Sequence, residues 1–142
     1  MFRGGSGHSI DDKGRVILPQ KLRSLLGDKF VITKGLDRCL WIFTDDGFLK
    51  LEERLKAQPM LDQDAVRLTR FFCGEAEDAK CDSQGRVAIP ANLREYASIE
   101  REVMIIGATN RIEIWSKSKW DEINNTTSDD LIRESAREIG VG

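Results

Sequence analysis

Histidine is nearly absent from this chain and cysteine is sparse: His8 stands alone, and Cys39, Cys73 and Cys81 are odd in number and irregularly spaced. A structural zinc site needs about four clustered soft ligands, so a tetrahedral site would have to use every one of these residues. Reduced, mostly buried thiols are the expectation, with no metal and no cofactor. There is also no Gly-x-Ser-x-Gly elbow and no Walker loop. Asp11, Asp12 and Asp82 are a poor acid–base set, because they lie on turns beside arginines that keep carboxylates ionised. Catalysis and a small-molecule substrate are therefore not expected. No apolar run approaches the ~18 residues of a membrane span, and the opening MFRGGSGHSI has no signal-type apolar segment. The expectation is a cytoplasmic protein with no membrane partner.

A basic surplus is missing too. The formal net charge is −2, whereas nucleic-acid binders are usually basic. The distribution is uneven, however. Residues 1–23 set Arg3, Lys13, Arg15, Lys21 and Arg23 against Asp11 and Asp12, while residues 102–142 hold five basic and eight acidic side chains. Hydrophobic content of 40% with 32% charged residues is that of a soluble globular chain.

What the chain does contain is a copy of itself. DDKGRVILPQKLR, residues 11–23, returns as DSQGRVAIPANLR, residues 82–94. Asp11, Gly14, Arg15, Val16, Pro19, Leu22 and Arg23 match Asp82, Gly85, Arg86, Val87, Pro90, Leu93 and Arg94 at an offset of 71. Chance would give about one match at typical residue frequencies. After a one-residue shift the likeness continues, with Leu40, Ile42 and Phe43 answering Ile112, Ile114 and Trp115. Two copies are too few for a stacked solenoid and suit a pseudo-twofold pair. Each half is too short to support a core easily, which favours a shared core or an assembly.

Each copy reads as strand, tight turn with Gly at a left-handed position, and second strand, in other words a hairpin. Pro19 and Pro90 fit the first turn of short helices, Pro19–Leu26 and Pro90–Ala97, the first ended by Gly27. Strands are expected at Lys29–Thr33, Cys39–Phe43, Glu102–Ile106 and Arg111–Trp115. Phe48, Leu51 and Leu55 fall at helical spacing, as do Trp120 and Ile123, and these aromatics read as core. Asp62–Phe72 reads as a connecting helix and Ser128–Ile139 as an amphipathic tail. The fold class is α+β. Residues 5–47 and 76–119 form the two modules, 48–75 connecting helices, and 120–142 a C-terminal helix and tail.

In each turn a carboxylate four residues before an arginine can orient the guanidinium by charge-assisted hydrogen bonds. Such an arginine suits phosphate or the O6/N7 edge of guanine, and the major groove admits a two-stranded ribbon. The alternative reading is a plain turn with a surface ion pair, or an arginine that makes subunit contacts in a structural ring or scaffold.

Taken with the opening Met-Phe-Arg-Gly-Gly and the Phe71-Phe72-Cys73-Gly74 stretch, the paired Asp-x-x-Gly-Arg units resemble the MraZ family of bacterial transcriptional regulators. The resemblance covers nearly the whole chain. It implies two SpoVT-AbrB-like modules of swapped-hairpin type sharing a core, and a ring-forming homo-oligomer. It further implies association with the nucleoid and binding of double-stranded DNA at short direct repeats upstream of the division and cell-wall gene cluster. The family's DxxxR motif falls on Asp11–Arg15 and Asp82–Arg86, and the DNA-binding set is Arg3, Asp11, Lys13, Arg15, Lys21, Asp82 and Arg86. An AbrB- or antitoxin-type regulator is the neighbouring reading, although antitoxins of this fold usually carry one such module per chain. The second copy has Gln84 and Asn92 where the first has Lys13 and Lys21. The first copy is therefore expected to dominate DNA contact and the second to contribute more to assembly.

Overall fold

A computed structural model describes residues 1–142. The chain order is β1 (Gly5–Ser9), β2 (Arg15–Ile17), α1 (Gln20–Leu26), β3 (Phe30–Lys34), β4 (Leu40–Thr44), α2 (Asp45–Lys56) and α3 (Gln63–Cys73). It continues with β5 (Glu77–Ala79), β6 (Arg86–Ala88), α4 (Ala91–Tyr96), β7 (Glu102–Gly107), β8 (Ile112–Ser116), α5 (Lys117–Thr126) and α6 (Asp129–Ile139). The class is mixed α+β, and no helix is long and apolar enough to cross a membrane.

Helix starts follow local chemistry. Thr44, Asp62, Ser116 and Ser128 each accept a backbone N–H from three residues ahead, which satisfies one of the orphan donors of α2, α3, α5 and α6. Pro19 and Pro90 precede α1 and α4 in extended conformation.

The sheets are palindromic about the repeat. Six antiparallel strands run β1-β7-β8-β4-β3-β5, and a separate two-stranded ribbon pairs β2 with β6. A pseudo-twofold axis thus passes between β4 and β8, where Leu40 faces Ile114 and Ile42 faces Ile112, and between Val16 and Val87 of the ribbon. Here the structure departs from the simple hairpins expected from the sequence. The turns close, but β1 pairs with β7 and β5 with β3, so the strand before each turn joins the other half's sheet. The reason is apolar burial. Strand β1 (Gly-Ser-Gly-His-Ser) offers no apolar face and serves as an edge, whereas Val16 and Val87 are each 1% exposed and must point into the core.

One cluster of 19 buried side chains, among them Phe2, Leu18, Leu22, Phe30, Leu40 and Val87, draws on both halves. The other side of β3 and β4 is covered by α2 and α3 through Val31, Phe43 and Phe48. The buried Thr33 hydroxyl donates to the Phe72 carbonyl at 2.5 Å. Trp115 and Trp120 pack together at 5.8 Å in the second half, and with Phe48 buried the aromatics expected in the core have a packing role.

Candidate nucleic-acid interface

Each repeated turn is built by its aspartate. Asp11 Oδ1 accepts the N–H groups of Lys13 and Arg15, both at 2.9 Å, and Oδ2 accepts Arg15 Nε at 2.8 Å. Backbone bonds from Asp11 N to Arg15 O (2.8 Å) and from Gly14 N to Asp11 O (3.0 Å) close the loop. The second turn repeats the pattern. Asp82 Oδ1 accepts from Gln84 and Arg86 at 2.9 Å each, and Oδ2 accepts Arg86 Nε at 2.7 Å. Gly14 and Gly85 sit at φ +76° and +78°, which explains why glycine recurs there.

The bonds to the ionised form hold both carboxyls below the usual aspartate range. The backbone N–H of the arginine four residues on is the main cause, followed by its guanidinium and the N–H of residue 13 or 84, with desolvation opposing. Only Nε of each arginine is used, so the two Nη groups project with no hydrogen bond inside the chain. That free edge is the part of a guanidinium that binds guanine or phosphate.

The ribbon brings the two arginines together. Arg15 faces Ala88 and Ile17 faces Arg86 in the β2–β6 register. With Val16 and Val87 inward, Arg15, Ile17, Arg86 and Ala88 share the outward face, and Arg15 and Arg86 are diagonal neighbours about 7–8 Å apart at Cα. Ile17 is 51% exposed, an apolar group between two arginines of the kind that can meet a thymine methyl.

The remaining members of the expected set are spread out. Lys13 is exposed on the first turn. Lys21 is exposed on α1, but the chain leading into α1 lies beside the second turn, since Leu18 N donates to Gly85 O at 3.0 Å. Asn92, its counterpart on α4, donates to Glu75, which is paired with Lys34. Arg3 lies at the far end of β1 from the Asp11 turn, across five strand residues or roughly 17 Å. Phe2 anchors it there by exchanging backbone bonds with Thr109 at 2.9 Å.

Three cations outside the expected set also lie near the turns. Arg101, exposed, offers its carbonyl to Ile10 N at 2.7 Å, just before the first turn. Arg94 lies over Gly14 and Arg23 over Gly85. The last two carried a signal, since they are identical at the repeat offset, whereas Arg101 had none.

The MraZ family, whose model is described as that of the MraZ protein and as antitoxin-like, matches twice, over residues 1–71 and 72–141. Proteins called transcriptional regulator MraZ are similar over most of the chain. That of Thermoanaerobacter pseudethanolicus is 47% identical over 143 residues, covering 99% of this chain and 100% of the relative. That of Moorella thermoacetica is 47% identical over 129 residues, 91% and 90% of the two chains, and that of Clostridium beijerinckii 47% over 142 residues, 99% and 100%.

Proposed function

The chain belongs to the MraZ family, and from that premise we propose that it is a sequence-specific DNA-binding transcriptional regulator that reads double-stranded DNA through the β2–β6 ribbon. The observation that carries this reading is the shared outward face of Arg15 and Arg86, each with Nε fixed by its own aspartate and both Nη groups free. A two-stranded ribbon fits the major groove, and pre-oriented arginines lose little entropy on binding. Asp11 and Asp82 act by aiming the arginines, while Lys13 and Lys21 add phosphate contacts. Arg3, at the far end of β1, makes a peripheral contact with the sugar–phosphate backbone.

A single ribbon makes few phosphate contacts. The proposed targets are short direct repeats upstream of the division and cell-wall gene cluster, engaged by several ribbons of a ring-shaped homo-oligomer associated with the nucleoid. Linked sites gain roughly 10²–10⁴-fold over one site, which lets a chain of net charge −2 bind usefully. Because each arginine already has an intrachain carboxylate partner, neither needs a subunit contact to neutralise it, which weighs against the scaffold reading.

The test is binding to tandem short repeats from upstream of the protein's own gene, beside a scrambled fragment of equal length. Preference for the repeats supports the reading, and equal affinity for both fragments overturns it.

A further inference from the structure

We infer that Arg94 and Arg23 are crossed positioning residues, each seating the turn of the opposite half. This rests on the DNA-binding reading for its purpose but not for its geometry. Arg94 Nε donates to Ile89 O at 3.0 Å, and Ile89 N donates to Gly14 O at 2.9 Å, so residue 89 ties the guanidinium to the first turn. A Cβ built on Gly14 would stand 2.9 Å from Arg94 Cζ, which shows how closely the guanidinium lies on the bare glycine. The second turn is the image of the first. Arg23 Nε donates to Leu18 O at 2.8 Å, Leu18 N to Gly85 O at 3.0 Å, and a Cβ on Gly85 would stand 2.6 Å from Arg23 Cζ. Two copies of one arrangement, with glycine and arginine identical in the repeat and Leu18 and Ile89 contributing only backbone atoms to it, make a device rather than an accidental contact.

The arrangement gives glycine a second reason to recur at these turns. Besides the positive φ, the absence of a side chain leaves room for a planar cation. It also bears on charge. Asp11 cancels Arg15 and Asp82 cancels Arg86 across each turn, whereas neither Arg23 nor Arg94 has a carboxylate within ion-pair distance. Each turn thus receives an uncancelled guanidinium from the other half, which at the first turn adds to the exposed Lys13. Reading the copies as separate modules, one basic and one depleted, misses this exchange.

Hydrogen exchange of the full-length protein without DNA tests the crossing directly. Arg94→Lys keeps the charge but loses the planar group and its Nε–H. The expected result is about tenfold faster exchange of the amides of residues 11–15 with residues 82–86 unchanged, and the reverse pattern in Arg23→Lys. Loosening of the turn in the arginine's own half, of both turns, or of neither overturns the proposal. Gly14→Ala, which displaces the same guanidinium from the other side, should speed exchange of residues 11–15 by a larger factor in the wild-type background than in Arg94→Ala, and an equal factor in both overturns the proposal.

Affinity for the tandem-repeat fragment supplies the functional arm. Arg94→Lys should weaken binding about tenfold, with little further effect once Arg15 is alanine. With Arg86→Ala the losses should multiply. Full affinity in Arg94→Lys means that charge alone matters and overturns the positioning role. If the wild type shows no preference for repeats, the DNA reading falls, while the exchange pattern still decides the crossing.

Discussion

Replacing Gly14 by alanine should cost more than a surface turn substitution usually does, and the excess should vanish when Arg94 is absent. Gly14 has φ +76°, a region that costs an L-residue about 1–2 kcal/mol. The new methyl group also meets the Arg94 guanidinium, with Cζ, Nε and Nη1 at 2.9, 3.1 and 3.2 Å. The flexible side chain yields before the backbone does, and its bond to Ile89 O is lost. Arg94 is half-buried, so water compensates partly and that loss is worth about 1 kcal/mol. Reduced freedom of the unfolded chain returns roughly 0.5 kcal/mol. The balance is a destabilisation of about 2 kcal/mol, visible as a urea midpoint lowered by about 1 M at a fixed protein concentration. In an Arg94→Ala background the same substitution should cost only about 1 kcal/mol, because no guanidinium remains to be displaced. Equal cost in both backgrounds would refute the claim that Arg94 seats the turn.

Three further outcomes follow from the structure. The Asp11 and Asp82 carboxyls should titrate below 3.8 when followed by carboxyl carbon chemical shifts. A folded pKa below the unfolded one means their stabilisation is complete above the unfolded value and is lost as pH falls through the lowered folded value. Arg15→Ala should return Asp11 only part of the way, because the backbone N–H groups of residues 13 and 15 persist, and a full return would place the cause in the side chain alone. Cys39, fully buried and with its thiol pushed up to about 12 chiefly by burial, should resist thiol reagents at neutral pH in the folded protein, and rapid labelling would contradict its placement. Leu40→Ala, which empties a fully buried position opposite Ile114 on the pseudo-twofold axis, should cost 2–5 kcal/mol in chemical denaturation, and a loss below 1 would mean the halves do not share that core.

Much of this fold is legible in the sequence, because the repeat announces its own local structure. Gly14 and Gly85 fix the turns, Pro19 and Pro90 the helix starts, and Leu40 and Ile42 with Ile112 and Ile114 the inward faces of β4 and β8. The residue pattern alone does not reveal the exchange of partners. Three-residue strands such as β2 and β6 carry too little pattern to choose between a local hairpin and a partner 71 residues away, and burial of Val16 against Val87 decides the matter only in three dimensions. The same exchange moves Lys21 toward the second turn and brings Arg94 to the first, which linear proximity to Arg15 does not reveal. Arg3 illustrates the converse, since twelve residues of sequence separate it from Arg15 and an extended β1 keeps the two apart.

If the outward face of the β2–β6 ribbon reads DNA, affinity must follow its two arginines. The most direct test is the affinity of wild type, Arg15→Ala and Arg86→Ala for the tandem-repeat and scrambled fragments at about 50 and 200 mM salt. Repeat-specific binding should weaken steeply with salt, with a slope near −0.9 per phosphate neutralised. Binding should collapse in Arg15→Ala and fall by a smaller factor in Arg86→Ala, whose turn carries Gln84 in place of Lys13. Salt-independent binding, or arginine variants that bind the repeats as wild type does, would contradict DNA reading by the ribbon.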